Sequence, residues 1–262
     1  MFLPQIAFSP YIFVLDLPIQ DIELGHVRLR GGEGNLNMVQ INMASREISV
    51  KLVYYGPALS GKTSNLLKLH ELMNPDARGK MVTLDTKDDR TLYFDFLPVE
   101  FTTSGGFSIK TKVFTVPGQV MHRSTRKVVL AGADAIAFIA DSQRSSASAN
   151  AYSWRDMEAN LKANGFDFER IPKVVQFNKR DLTDVKPLQE IRDAWQGIPT
   201  FPAVALRGEG VIETYRELMR VLYRSLDEKH DFAMKFGLSE EDFLKGLLRN
   251  FASPPGTGSG TA

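Results

Sequence analysis

The sequence predicts an α/β fold: a mostly parallel sheet with helices on both faces. Three observations predict it. From residue 48 onward, short β-branched and aromatic runs alternate with stretches of helical length. One run, Ala135-Ile136-Ala137-Phe138-Ile139-Ala140, is apolar without interruption and ends at Asp141, as a strand buried on both faces reads. A glycine-rich segment of fixed spacing joins the first run to the first helix.

Residues 48–55 alternate and form the first expected strand. A helix follows from Lys62 to about Met73. Residues 92–99 and 107–116 read as two strands, joined through Thr103-Ser104-Gly105-Gly106 closely enough for a hairpin. After the buried strand at 135–140, residues 147–163 have a helical period. Residues 173–177 are the next strand and 201–205 the last, before a helix from about Val211 to Asp227. Ser239, followed by Glu240, Glu241 and Asp242, reads as the capped start of one more helix. Phe243, Leu244, Leu247, Leu248 and Phe251 fall on one face of it, to pack on the domain or to meet a partner.

The first 37 residues have no defensible period. Either they are a true extension, or translation starts at Met38 or Met43, since Gly31-Gly32-Glu33-Gly34 can be written in purine-rich codons. The expected organisation is an extension over 1–43, a nucleotide-binding domain over 44–228, an amphipathic helical extension over 229–251, and a disordered tail rich in Gly, Ser, Pro and Thr over 252–262.

Composition narrows the function. The 262 residues suit one domain with extensions, and 43% are hydrophobic. With 32 basic and 31 acidic residues the net charge is +1, which gives no general pull toward nucleic acid or an anionic membrane. There is no cysteine, so disulfides, thiol nucleophiles and prenylation are excluded. No apolar run approaches the ~20 residues of a membrane helix. The best candidate, 6–17, contains Ser9, Pro10 and Asp16 and has no basic residue before it, so it is a poor signal peptide. A cytoplasmic protein without stable membrane insertion is expected.

Gly56-Pro57-Ala58-Leu59-Ser60-Gly61-Lys62-Thr63 matches the complete phosphate-loop pattern, between a strand and a helix as the pattern requires. Backbone N–H groups of such a loop, continued by Ser64 in the helix, cradle phosphates. Lys62 supplies charge to the terminal phosphates, and the Thr63 hydroxyl is a magnesium ligand. At the end of the 173–177 strand stands Asn178-Lys179-Arg180-Asp181. Asp181 offers two acceptors to the paired N–H donors on the guanine edge, a pair adenine lacks. Asn178 can brace the loop and Lys179 can cover the base. Ala205 and Leu206 stand where a last guanine loop belongs, with the Ala205 N–H the candidate donor to the guanine oxygen. The expected ligands are GTP or GDP with Mg2+ on a Ras-like P-loop NTPase fold.

Four segments, 52–57, 89–98, 115–120 and 178–182, resemble the signature segments of the MglA-like bacterial GTPases, and the resemblance runs over about 44–226. It implies a small GTPase switch controlling cell polarity and gliding or twitching motility, positioned at a pole, with polarity or motility effectors and a roadblock-type activating partner. It implies that Thr91 meets magnesium and the terminal phosphate, that Gln119 after Gly118 orients the attacking water, and that Arg90 is an internal arginine finger. A planar guanidinium suits that last task; the alternative for Arg90 is an exposed ion pair with Asp88 or Asp89. Ras-like proteins usually carry Asp where Thr115 stands, whereas MglA-like proteins carry Thr. Ala58 replaces a common Gly, and its Cβ can crowd the site and slow hydrolysis. That leaves open a second reading, a nucleotide-locked recruitment module; a metabolic P-loop kinase is opposed by the 178–181 tetrad. His70, His122, His230, Trp154 and Trp195 read as surface or packing residues, with His122 a candidate partner contact, and Asp134 and Asp141 as structural.

Overall fold

The computed structural model describes residues 39–85, 94–118 and 123–251, together with the backbone of 13–16. Arg90, Thr91, Gln119, His122, Met38 and the 252–262 tail lie outside the described residues.

The sheet is mixed, in the order β1-β4-β5-β6-β3-β7-β8-β9. Its parallel centre consists of β6 (Ser108–Thr115), β3 (Glu47–Tyr55), β7 (Ala135–Asp141), β8 (Lys173–Asn178) and β9 (Thr200–Pro202). β5 (Phe94–Thr102) runs antiparallel to β6, as the Gly105-Gly106 hairpin requires, and β4 (Val82–Asp85) runs antiparallel to β5. β2 (Gln40–Asn42) pairs with β3 off this path.

Three short strands differ from the sequence reading. β1 (Phe13–Asp16) pairs in parallel with β4 on the outer edge, within a segment that showed no period. Four residues between prolines are too few to display one. β4 and β2 escaped for the same reason. The last strand ends at Pro202, short of the expected 205, because Ala205–Arg207 turn into a single 3-10 turn.

Side-chain alternation along the strands divides the core in two. Leu52 and Tyr54 of β3, with Ala137 and Ile139 of β7, join α1 (Lys62–Leu72) and α5 (Val211–His230) on one face. Val53, Tyr55, Ile136 and Phe138 join α2 (Arg123–Leu130), α3 (Ala147–Ala163) and α4 (Leu188–Ala194) on the other. Trp154 and Trp195 pack edge to face there, 4.6 Å between centroids, against Phe138. Helices on both faces of a mostly parallel sheet are the expected fold.

After α5 come α6 (Phe232–Phe236) and α7 (Glu240–Leu248). The Ser239 hydroxyl accepts the Asp242 N–H, the expected cap. Phe243 packs its ring against Phe101 and Tyr223 and Leu247 is fully buried, while Leu248 turns outward and is exposed. Leu248 therefore leaves the apolar face on which it was expected. Asn250 completes the docking: its side chain donates to Glu100 O at 2.7 Å and its carbonyl accepts the Asn74 N–H.

Candidate functional site

In a parallel sheet the loops at the carboxyl ends of the strands form the binding crevice. Of the residues singled out in the sequence, the described ones at 56–64, 118, 178–181 and 205–206 meet there. Between β3 and α1 the chain turns through Gly56 and Gly61, whose φ values of 150° and 97° suit glycine. Space demands glycine as well. A Cβ on Gly56 would stand 2.2 Å from Ile139 O, and one on Gly61 would stand 2.1 Å from Asn178 Nδ2. Pro57 is buried, Ala58 and Leu59 face outward, and Ser60 is buried with its hydroxyl unpartnered.

Lys62 folds back over the loop, donating to Gly56 O at 3.0 Å and Pro57 O at 2.7 Å. Burial holds its ammonium down to about 7, with Asp95 pulling it up and Arg126 pressing it lower. A buried amine beside a ring of N–H groups is poised for an anion. Thr63 and Ser64 open α1 beside it.

Thr63 Oγ1 donates to Asp95 Oδ2 at 2.6 Å. Thr115 on the neighbouring strand binds the same residue twice: its hydroxyl donates to Asp95 Oδ2 at 3.0 Å and accepts the Asp95 N–H at 2.8 Å. Sequence reading missed Asp95. It lay inside the 89–98 segment, but one acid in an alternating strand looks like a solvent-facing residue. The available signal was Thr115, whose missing carboxylate had to be sought on an adjacent strand.

Gly118 approaches the phosphate loop so closely that a Cβ on it would lie 2.4 Å from Ala58 N. At the far side of the crevice, Asn178 joins three segments. Its Nδ2 donates to Ser60 O at 2.9 Å, and its Oδ1 accepts the Ala205 N–H at 2.9 Å. The Ala205 N–H is thus held by Asn178. Leu206 beside it is 76% exposed. Lys179, in a left-handed conformation, anchors its amine on Asp141 Oδ2 at 2.6 Å. Asp181 is partly open, with the Arg207 guanidinium 3.8 Å away.

A second polar cluster underlies the site. Asp156 of α3 accepts from the Tyr55 hydroxyl and from Arg126 Nε at 2.7 Å, and the Arg126–Asp156 pair is buried. It fixes α2 to α3 behind Lys62. His70 and His230 take no part in the crevice.

No family model matches the chain. Mutual gliding-motility protein MglA of Myxococcus xanthus (strain DK1622) is 42% identical over 188 residues, which are 71% of this chain and 96% of that protein.

Proposed function

The chain belongs to the MglA family of small GTPases, and on that premise we propose how its residues hold and hydrolyse the nucleotide. It is a Ras-like P-loop GTPase that binds guanine nucleotide, and by this kinship it serves as a switch in gliding motility. The kinship does not favour the nucleotide-locked recruitment module. The observation that carries the reading is the Asn178 bridge, which fixes phosphate loop, base tetrad and last loop as one unit.

In this reading the N–H groups of 56–64 and the Lys62 ammonium hold the phosphates. Asp181 reads the guanine edge, the stem of Lys179 covers the base, and the 205–206 turn faces the guanine oxygen. The donors around Thr63, a hydroxyl, a carboxylate and a second hydroxyl, are all hard oxygens, a set that fits Mg2+. Thr63 would hold the cation directly and Asp95, braced by Thr115, would hold it through the surrounding shell, with Thr91 added from the switch. Bound there, Mg2+ neutralises charge on the phosphoryl oxygens. Arg90 and Gln119 supply the finger and orient the water.

Kinship implies regulators and effectors; we assign the regulator to the roadblock class, the effectors to cell polarity and motility, and the position of action to the cell pole. Among the described residues no helix is long and apolar enough to cross a membrane. Titration with fluorescent GTP, GDP and ATP tests the core of the reading. Tight, selective binding of the guanine nucleotides is expected, and equal affinity for ATP would overturn the base assignment.

A further inference from the structure

The pole opposite the nucleotide crevice holds a pocket of about 660 Å3, within the ~300–1,000 Å3 range of small-molecule sites. Topology gives this pole its electrostatics. Helices in an α/β fold run back against the parallel strands, so their N-termini gather at the phosphate end and their C-termini at the base. α3 ends just before the pocket residues Gly165 and Phe166, and the last turns of α5 form its opposite wall. Helix C-termini carry partial negative charge and favour cations.

The second observation is Asp134, immediately before β7. It lines the pocket, is only 5% exposed, and its Oδ1 has no hydrogen-bond partner. Its Oδ2 accepts the Lys51 N–H at 2.7 Å. The neighbouring amines are committed elsewhere: Lys51 Nζ donates to Ala131 O at 2.8 Å, and Lys173 Nζ to Phe168 O at 2.6 Å. Lys229 stands exposed at the rim and acts on the carboxyl through its field. A buried carboxylate oxygen without a donor is destabilising, so it calls for one. Beside it Phe166, Pro172 and Leu226 make an apolar wall, and among the other lining residues the carboxylates of Asp167 and Glu228 offset the charges of Arg170 and Lys229.

We propose that this pocket is a second ligand site that takes a small aliphatic amine as its ammonium ion, the nitrogen seated on Asp134 and the methylene chain against Phe166 and Leu226. An ammonium supplies donors and charge to Asp134, and its alkyl stem matches the apolar wall. Inorganic cations would leave that wall uncovered, and anions would meet the helix C-termini.

Calorimetric titration of the GDP-loaded full chain with putrescine, at constant ionic strength and at pH 8.5, where the Asp134 carboxyl is ionised, tests the proposal. One saturable site is expected, weakened about ten- to a hundredfold by Asp134→Asn. Asn keeps an acceptor for the Lys51 N–H, and retained GDP affinity shows that this variant is folded. Ser225→Trp, which fills the pocket and leaves Asp134 intact, should abolish putrescine binding while sparing GDP. Saturable binding that is unchanged in both variants, or no binding to the parent chain at millimolar putrescine, overturns the assignment.

Discussion

Thr63 and Asp95 are joined by a 2.6 Å hydrogen bond that ties the end of the phosphate loop to β5. Without a ligand the threonine hydroxyl is spent on the carboxylate; with a divalent cation in place both become available to it. Asp95→Asn should therefore weaken Mg2+-dependent retention of nucleotide. A charge-assisted contact is worth about 1.5–3 kcal/mol, so GDP release at fixed Mg2+ should quicken roughly ten- to a hundredfold. In excess chelator, parent and variant should release GDP at similar rates. An equal acceleration with and without Mg2+ would show that Asp95 acts only as packing.

Asp181→Asn replaces one of the two acceptor oxygens with a donor and should cost most of the preference for guanine. Lys62→Ala should weaken both GTP and GDP about ten- to a hundredfold without changing that preference. Competition between fluorescent GDP and unlabelled ATP separates the two effects. A Lys62→Ala protein that lost selectivity but kept affinity would reverse the assignments.

The parts of the site that sequence revealed were those whose chemistry is local. A phosphate cradle needs glycines and a lysine at fixed spacing, so 56–63 reads directly. The Asn178 tetrad reads because it follows a strand. Asp95 did not, because its meaning depends on Thr63 and Thr115, 32 and 20 residues away in sequence. The same holds for the Arg126–Asp156 pair, formed across two helices. In the fold, the apolar run at 135–140 identified the central strand, whereas β1, β2 and β4 take their structure from neighbours rather than from any period of their own. α2 and α4 were missed for a related cause, being two turns each.

A chain starting at Met38 should fold and bind nucleotide. The described contact it loses is the pairing of Phe13–Asp16 with the outer edge of β4, far from the phosphate loop in the strand order. Edge pairing of four residues supports a Tm loss of a few degrees at most, about 1 kcal/mol. Insolubility, or loss of GDP binding, would show that the segment is part of the domain.

Stability should also carry the signature of Asp134. Burial raises its carboxyl to about 7 from 3.8, against the Lys51 N–H and the charges of Lys51 and Lys229. Between those values the folded chain keeps a proton that the unfolded chain has released. Stability from this group is therefore complete below pH 4 and is lost as pH rises to 7, by a few kcal/mol at most. Urea unfolding across that range should show the parent losing stability relative to Asp134→Asn. A constant difference would mean that the carboxyl titrates normally.

Hydrolysis should be slow in the isolated protein and fast with a roadblock-type partner. Phosphoryl transfer is catalysed by positioning and charge, so switch residues need something to order them. An arginine finger is worth about 1,000- to 100,000-fold, roughly 4–7 kcal/mol of barrier. Arg90→Ala and Gln119→Leu should abolish the stimulated rate and spare GTP binding. Ala58 adds a separate term. It faces outward from the phosphate loop, and Gly118 comes so close that a Cβ there would lie 2.4 Å from its nitrogen. That contact is with the Ala58 backbone, so the exposed methyl group is the one part of this loop position that Ala58→Gly removes, and the rate should rise if that methyl crowds the phosphate. Single-turnover phosphate release with and without partner measures all three. If Arg90→Ala keeps the stimulated rate, Arg90 is a surface ion-pair residue. If Ala58→Gly changes nothing, the methyl group does not limit access to the phosphate, and the crowding argument fails.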